Sequence, residues 1–379
     1  MAKLLITGAR APVALELARN LHGHGHQVIM VDSLLYPLAR NSKAINQFYK
    51  IPGPRENLEG FRKNLLLIIQ QENVDYLIPT CEEIFYISFI KNELDRFCQI
   101  ICPDFDLITK FHSKIEILNL CTNKGVGIPS TKIVDKSNLK EFSEIKNIIV
   151  KKEFCRFGTD VLLNPTRKMI KDAVDKNDGR ILLQEKIVGV EYCTYAIVNN
   201  GTVYAEAIYE PSHRIRLAAG IYFKPIINDA ISKFVKDFCK EYQFTGQIGF
   251  DVIVANDIVY VIECNPRTTS GVHLLQEADL FKAFIGRNIQ EIKQSDKASM
   301  IGLVMLLIGI PIAIKKNKLS QWWSDYSSAR DVINLKKDKS FMLFKFLSLG
   351  ELLVISLRKK VSIRQASTMD IEWDGEEIK

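Results

Sequence analysis

Short apolar strands alternate with helices over the first hundred residues, and this alternation restricts the fold more than any other feature of the chain. Lys3 to Thr7 reads as a strand. Pro12 to Leu21 has helical spacing, with Val13, Leu17 and Leu21 on one face. Gln27 to Val31 is a second strand, ending at Asp32. A helix over Leu58–Gln71, a strand over Tyr76–Pro79, a further helix and a strand over Gln99–Cys102 continue the pattern. Such alternation demands a parallel sheet with helices on both faces, and it closes near residue 105.

The texture then changes. A helical pattern from about Asp106 runs to the Gly-then-Pro stop of Gly125–Pro129. Strands follow in close succession: Asn147–Lys151, Thr159–Leu163, Ile181–Glu185, Glu191–Val198 and Thr202–Ile208. Asn200-Gly201 forms a two-residue hairpin turn between the last two. After a helix over Ile227–Tyr242, the strands Gly246–Val254 and Ile258–Cys264 flank a turn at Asn256-Asp257. The expected fold class is therefore α/β followed by α+β. Its divisions are 1–105, 106–295 and a mostly helical extension at 296–379, with helices over Trp322–Leu335 and Phe341–Leu357.

Length and composition narrow the class. At 379 residues the chain is long enough for two or three cores, and 47% apolar with 25% charged residues is ordinary for a folded protein. The net charge of +7 is uneven. A basic stretch from about Lys315 to Arg364 precedes an acidic end with Asp370, Glu372, Asp374, Glu376 and Glu377. A mild basic excess suits an anionic ligand such as a nucleotide. No dense Lys/Arg patch interleaved with aromatics argues for nucleic acid. None of the eight cysteines forms a CxxC pair, and no signal segment opens the chain, which points to a cytoplasmic protein with reduced thiols. Met300–Ile314 carries no charge, but it is shorter than the roughly 20 residues of a membrane span and contains Pro311. A buried strand or hairpin is the expectation there.

The densest chemistry is Asp251 together with Glu263-Cys264-Asn265-Pro266-Arg267. Even spacing across a tight turn puts Asp251 and Glu263 on one face of a hairpin, and Asn265, two residues on, points the same way. Two carboxylates and an amide oxygen suit Mg²⁺, or Mn²⁺ in its place, shared with substrate phosphates. Arg267 offers a planar fork for a phosphate or carboxylate and is the candidate catalytic residue.

This stretch resembles the metal-binding hairpin of the ATP-grasp superfamily, and other elements fall in the order that resemblance implies. Lys114 of Ser113-Lys114 opens a helix. Ile148-Ile149-Val150-Lys151 resembles the strand whose lysine reaches the nucleotide phosphates. Leu183 to Glu191 resembles the hinge that reads adenine and ribose. The resemblance covers about residues 1 to 290. It implies a Rossmann-like leading domain and ATP and Mg²⁺ as cofactors. Nucleotide contacts would come from Lys114, Lys151, Gln184, Glu185, Ile187 and Glu191, and the metal ligands would be Asp251, Glu263 and Asn265. Two departures stand out. Lys152 replaces the usual proline after the strand, and the following loop has only Gly158, so Arg156 is the candidate to bind phosphate in place of backbone N–H groups.

The remaining motifs are weaker. Gly8-Ala9-Arg10-Ala11-Pro12-Val13 lacks the glycines of a dinucleotide fingerprint. His22, His24 and His26 alternate with glycines and read as a polar turn. His213, Arg214 and Arg216 are candidates for a substrate carboxylate. The basic C-terminal helices are expected to dock on the core, with contact to an anionic membrane surface as the other reading. The resemblance implies activation of a small-molecule carboxylate as an acyl phosphate, then attack by an amine. An ATP-grasp kinase or carboxylase, a nicotinamide-dependent reductase, and a non-catalytic nucleotide-binding or membrane-associated protein are the rivals. Self-association is left open.

Overall fold

In the computed structural model the described residues are 1–136, 138, 147–154, 161–176, 180–214, 220–287, 290–334 and 344–378. The first sheet contains β1 (Lys3–Thr7), β2 (Gln27–Asp32), β3 (Gln47–Lys50), β4 (Tyr76–Ile78) and β5 (Gln99–Ile100). It is entirely parallel, in the order β3-β2-β1-β4-β5. Alternation along β1 divides its environment. Leu4 and Ile6 join the core against α1 (Pro12–Gly23), while Leu5 joins the core under α2 (Leu58–Glu72) and α3 (Ile84–Phe89). The short α4 (Lys91–Leu94) leads into β5.

The chain reverses direction across β1, so a crevice opens at the carboxyl ends of β1 and β4. Gly8 sits there with φ +77°, and a Cβ on it would fall 2.6 Å from Thr80 Oγ1. The crevice beside it is filled from within. Arg10 donates to Asp32 (Nη2 to Oδ1, 2.7 Å) and to Asp370 of the C-terminal segment (Nη1 to Oδ1, 2.6 Å). Ser33 also donates to Asp370, and Ile371 lines the same place. Asp32, the acid that would meet a ribose in a dinucleotide site, is committed to Arg10.

The central part has α5 (Phe105–His112), α6 (Glu116–Leu120) and a four-stranded antiparallel sheet in the order β6-β9-β7-β8. Its strands are β6 (Thr131–Val134), β7 (Ile148–Lys152), β8 (Leu162–Leu163) and β9 (Ile181–Glu185), with α7 (Arg167–Asp175) packed on one face. The larger sheet runs β14-β13-β10-β11-β12-β15-β16. It comprises β10 (Val190–Asn199), β11 (Thr202–Arg214), β12 (Gly220–Pro225), β13 (Gly246–Ala255), β14 (Ile258–Asn265), β15 (Ser299–Met300) and β16 (Arg330–Asp331), with α8 (Asp229–Glu241) across one face. Both short hairpins turn as their residues require, with positive φ at Asn200 and Gly201 and at Asn256 and Asp257.

Three expectations are corrected. The single helix from Asp106 to Gly125 is two, broken at Ser113, where the backbone is extended and the side chain caps Glu116 (N to Oγ, 3.1 Å). Met300–Ile314 is helical rather than a strand or hairpin beyond Met300. After α9 (Leu280–Ile285) and β15 come α10 (Gly302–Val304), a π-helical turn over Met305–Gly309 and α11 (Ile310–Lys315). An apolar run without a period is compatible with either structure. Pro311 falls in the first turn of α11, where no N–H is missed, and the wider π turn precedes it. Third, the helix expected over Trp322–Leu335 ends early. It is α12 (Leu319–Ser328), after which Arg330–Asp331 joins the large sheet. The Arg330 guanidinium reaches Glu16 Oε2 (2.7 Å) on α1, a long-range pair that overrides local helical preference. The last helices are α13 (Phe344–Lys359) and α14 (Ile363–Ala366). Among the described residues, no helix is long and apolar enough to cross a membrane.

Removing Arg10 strands two buried carboxylates, so Arg10→Ala is expected to cost about 3–5 kcal/mol. Asp370→Asn, which keeps the shape and leaves the Arg10–Asp32 pair, should cost clearly less. Urea denaturation of the full chain checks this, and equal losses would contradict the account.

Candidate active site

The β13–β14 hairpin sets the first part of the site. Asp251 pairs directly with Glu263 and Gly249 with Asn265, and the register shifts between Asp251 and Val252. Phe250, Val252, Val261 and Cys264 turn to the other face and pack with Phe234 and Phe238 of α8. Alternation therefore directs Asp251, Glu263 and Asn265 away from α8.

The small sheet supplies the second part. Val150 and Leu183 pack toward α7, so Lys151 and Gln184 lie on the opposite face, both buried. The Lys151 ammonium donates to Gln184 Oε1 at 3.0 Å, and the Gln184 amide donates to Thr131 Oγ1 at 3.1 Å. Glu185 shares the face of Leu183. Its exposed carboxylate lies 3.4 Å from the Ser130 N–H, so its backbone, not its side chain, borders the opposite face.

The helix break supplies the third part. Lys114 is buried and its ammonium lies 3.4 Å from Glu263 Oε2. Glu153 fixes this break. It accepts from Ser113 Oγ (2.6 Å) through its carboxylate and from the Lys114 N–H (3.3 Å) through its carbonyl, and Arg180 holds its carboxylate at 2.7 Å. A local motif thus ties Lys114 to the strand that carries Lys151.

The charges are unequal. Burial opposes ionisation at Glu263, but Lys114 and then Lys151 outweigh it and hold that carboxyl below its ordinary value. At Asp251 burial and the neighbouring Glu263 charge both act upward, so its carboxyl is held well above the ordinary carboxylate range. The pair is thus short of positive charge. Two carboxylates with the Asn265 amide oxygen are hard ligands, and a divalent cation such as Mg²⁺ fits both the donor set and the charge deficit. Among the described residues no three His, Cys, Asp or Glu side chains converge.

Arg267 is more enclosed than a free fork. It donates to Glu82 Oε1 (Nε, 2.8 Å), to Asn265 Oδ1 (Nη2, 2.9 Å) and to the Thr268 carbonyl (Nη1, 3.2 Å). It orients Asn265 and links the hairpin to the first sheet. Glu82 was missed from sequence; its signal was two adjacent acids, Glu82-Glu83, entering an apolar helix at the end of β4. Ile187 lies in the hinge between β9 and β10, where Gly189 lets the chain approach β13; a Cβ there would stand 2.3 Å from the Val254 carbonyl. Glu191, half exposed, pairs with Arg214. His213 turns instead to Asp325 of α12 (2.7 Å). Of the three histidines read as a polar turn, His26 is buried, 3.5 Å from Asp279. Arg156, Gly158 and Arg216 lie outside the described residues.

An antiparallel sheet and a largely antiparallel one, facing each other across lysines and paired acids, match a known architecture. Residues 111–271 of the chain match a family model described as the ATP-grasp domain. The tyramine–L-glutamate ligase of Methanocaldococcus jannaschii is 25% identical over 263 residues, covering 65% of this chain and 77% of that protein. The ADP complex of N5-carboxyaminoimidazole synthetase from Staphylococcus aureus has the same fold, with a TM-score of 0.63, 16% identity and coverage of 83% of this chain and 86% of that one. The L-amino acid ligase of Bacillus licheniformis superposes with a TM-score of 0.57 and 15% identity, covering 73% and 70%. The ATP-grasp match spans Lys114, the small sheet, the hinge and the β13–β14 hairpin.

At this hairpin a proton and a divalent cation would compete for Asp251. Without the cation, its raised pKa lets the folded chain bind more protons than the unfolded chain between the ordinary carboxylate range and the raised value. Its contribution to stability therefore falls as pH rises through that window. A bound cation removes the penalty, so the Tm gain from magnesium in the presence of ATP should be larger at about pH 8 than at about pH 5. In Asp251→Asn the gain should shrink and lose this pH dependence. A gain that does not change with pH in the wild-type chain would count against a raised Asp251.

Proposed function

We propose that this chain is an ATP- and magnesium-dependent carboxylate–amine ligase. The observation that carries the reading is the half-buried Asp251–Glu263 pair with the buried Lys114 and Lys151 brought to it from separate elements. Such an arrangement holds phosphates with their cation and has no evident use in a passive scaffold. The ATP-grasp match supports ATP as the nucleotide. Two relatives, one ligating tyramine and L-glutamate and the other named for L-amino acids, support amide formation with an amino acid as one partner.

A carboxylate oxygen of the acid attacks the γ-phosphorus of ATP. The bond to the β–γ bridging oxygen breaks, and ADP departs with that electron pair. The amine lone pair then attacks the acyl carbon, inorganic phosphate leaves with the C–O electrons, and the amine proton passes to phosphate or water. Magnesium, when bound, neutralises charge on the phosphate oxygens and aligns them. Asp251, Glu263 and Asn265 are the residues that would hold it. Lys114 and Lys151 act as point cations beside the phosphates, Gln184 orients Lys151, and the backbone from Glu185 to Ile187 borders the adenine slot. Glu191 is placed to accept from ribose hydroxyls on release from Arg214, and Arg214 is then available to a substrate carboxylate. Arg267 orients Asn265 and adds positive charge near the transferred group. Arg156 is assigned to phosphate on its sequence position. Positioning and charge neutralisation supply most of the acceleration, since little covalent work falls to the protein.

The test is ADP release with MgATP across amino acids, singly and paired with one another and with simple amines including tyramine. One acid–amine pair is expected to stimulate release stoichiometric with a new amide, and Glu263→Ala should lower the rate by about 10²-fold or more. Stimulation by bicarbonate alone would favour a carboxylase, and phosphate transfer to a single alcohol or acid without amide a kinase. ATP binding without turnover on any pair would end the ligase reading.

A further inference from the structure

The surface of α13 has its apolar face on the wrong side for a free soluble chain. Phe346, Leu347, Leu349, Leu353, Val354 and Leu357 are all exposed, Leu357 at 77%. At 100° per residue they fill an arc of roughly 160° on one side of the helix. Ser348 and Glu351 lie on the other side, together with the half-buried Phe344, Leu352 and Ile355. Ser348 is buried, and Glu351 accepts from the backbone N–H groups of Leu35 (2.8 Å) and Tyr36 (2.7 Å) in the loop after β2. Those two bonds fix which side of the helix faces outward. A helix this apolar is ordinarily buried, yet here only Ser348 is.

Charge identifies what covers it. Between Lys315 and Arg364 there are twelve Lys/Arg against four Asp/Glu, so this stretch holds more than the whole +7 of the chain. Lys345 stands at the start of α13, and the exposed Arg358 and Lys360 stand at its end, while Lys359 between them turns to Glu56 at 3.6 Å. A two-fold pairing of this face with a second copy would bring basic ends together whether the helices ran parallel or antiparallel. An anionic lipid surface satisfies both features, taking the apolar arc into the acyl boundary and the cations at the headgroups. Sixteen residues are too few to span a bilayer, so the helix lies in the plane of the interface.

We propose that α13 docks the protein on anionic membrane surfaces, with the apolar arc inserted and Lys345, Arg358 and Lys360 on the headgroups. This goes beyond the ligase reading and does not depend on it. The test is sedimentation of the full chain with phosphatidylcholine vesicles, with and without about 30% phosphatidylglycerol, in the absence of ATP.

Pelleting with anionic vesicles only, weakened by salt, is the expected result. Leu353→Asp with Leu357→Asp should lower partitioning at least tenfold. Neutralising Arg358 and Lys360 to Gln should cost about fivefold per charge. Both variants should keep the wild-type melting curve, since these side chains face outward. Absence of pelleting with anionic vesicles, or pelleting that the variants leave unchanged, overturns the proposal. So does a concentration-dependent dimer that Leu353→Asp abolishes in a chain that never binds vesicles, because the face would then belong to a second copy. Failure on vesicles leaves the ligase reading standing, because that reading is judged on ADP release.

Discussion

Two carboxylates held side by side in a half-buried site set the terms for the rest of this structure. Asp251 and Glu263 face each other across one hairpin, and a lone pair of like charges in such a place would be among the more costly features a fold can carry. It is tolerated because cations are brought to it from elements far apart in the chain. Lys114 comes from a break between two helices, and Lys151 from the middle of a different sheet. Each cation constrains its own element. The helix must stop at Ser113, and the small sheet must present Lys151 toward the large one. Glu153 joins the two requirements by bonding both Ser113 and Lys114.

The C-terminal segment reaches the same machinery from behind. Trp373 lies against Phe85 and Phe105 (ring centroids 5.1 and 5.8 Å) in the first core, against His112 at the end of α5 (6.3 Å), and against Phe154 just beyond β7 (5.1 Å). Arg55 binds Glu372, Asp374 and Glu376 at the surface above it. One segment at the end of the chain thus ties the parallel sheet, the helix before Lys114 and the strand carrying Lys151 into one unit. The same segment supplies Asp370 to the crevice where a dinucleotide would otherwise lie. That makes the first domain a support for the site, not a second cofactor domain.

What was legible in the sequence was local. The βαβ alternation, both Asn-containing turns and the face shared by Asp251, Glu263 and Asn265 follow from short-range periodicity, and the structure reproduces them. Lys114 and Lys151 were legible only as lysines in suggestive places, because their burial depends on partners 30 to 150 residues away. The break at Ser113, the two-residue strand at Arg330–Asp331 and the Arg10–Asp370 contact carry no local signature, since long-range bonds decide them. Met300–Ile314 misled for a different reason. An unbroken apolar run says that a segment avoids water without saying in which conformation. Gln184 and Glu185 show how finely alternation must be read, because one residue of register decides which side chain faces Lys151.

The uneven charge of the chain acquires a physical meaning from this arrangement. If the net charge of +7 served the nucleotide, its cations would gather round the metal hairpin. Instead two lysines face two acids at the site, and the densest positive charge lies in the stretch from Lys315 to Arg364 of the C-terminal extension. There part of the extension is bound to the body of the protein, through Trp322, Val332, Ile371 and Trp373 in buried positions. The rest is held outward with its apolar side uncovered. Core docking and an exposed apolar helix are therefore not alternatives for this extension. The buried anchors hold α13 in a fixed orientation, so its free face is presented as a surface and not as a loose tail. A rigidly presented face loses less conformational entropy on contact than a disordered segment would.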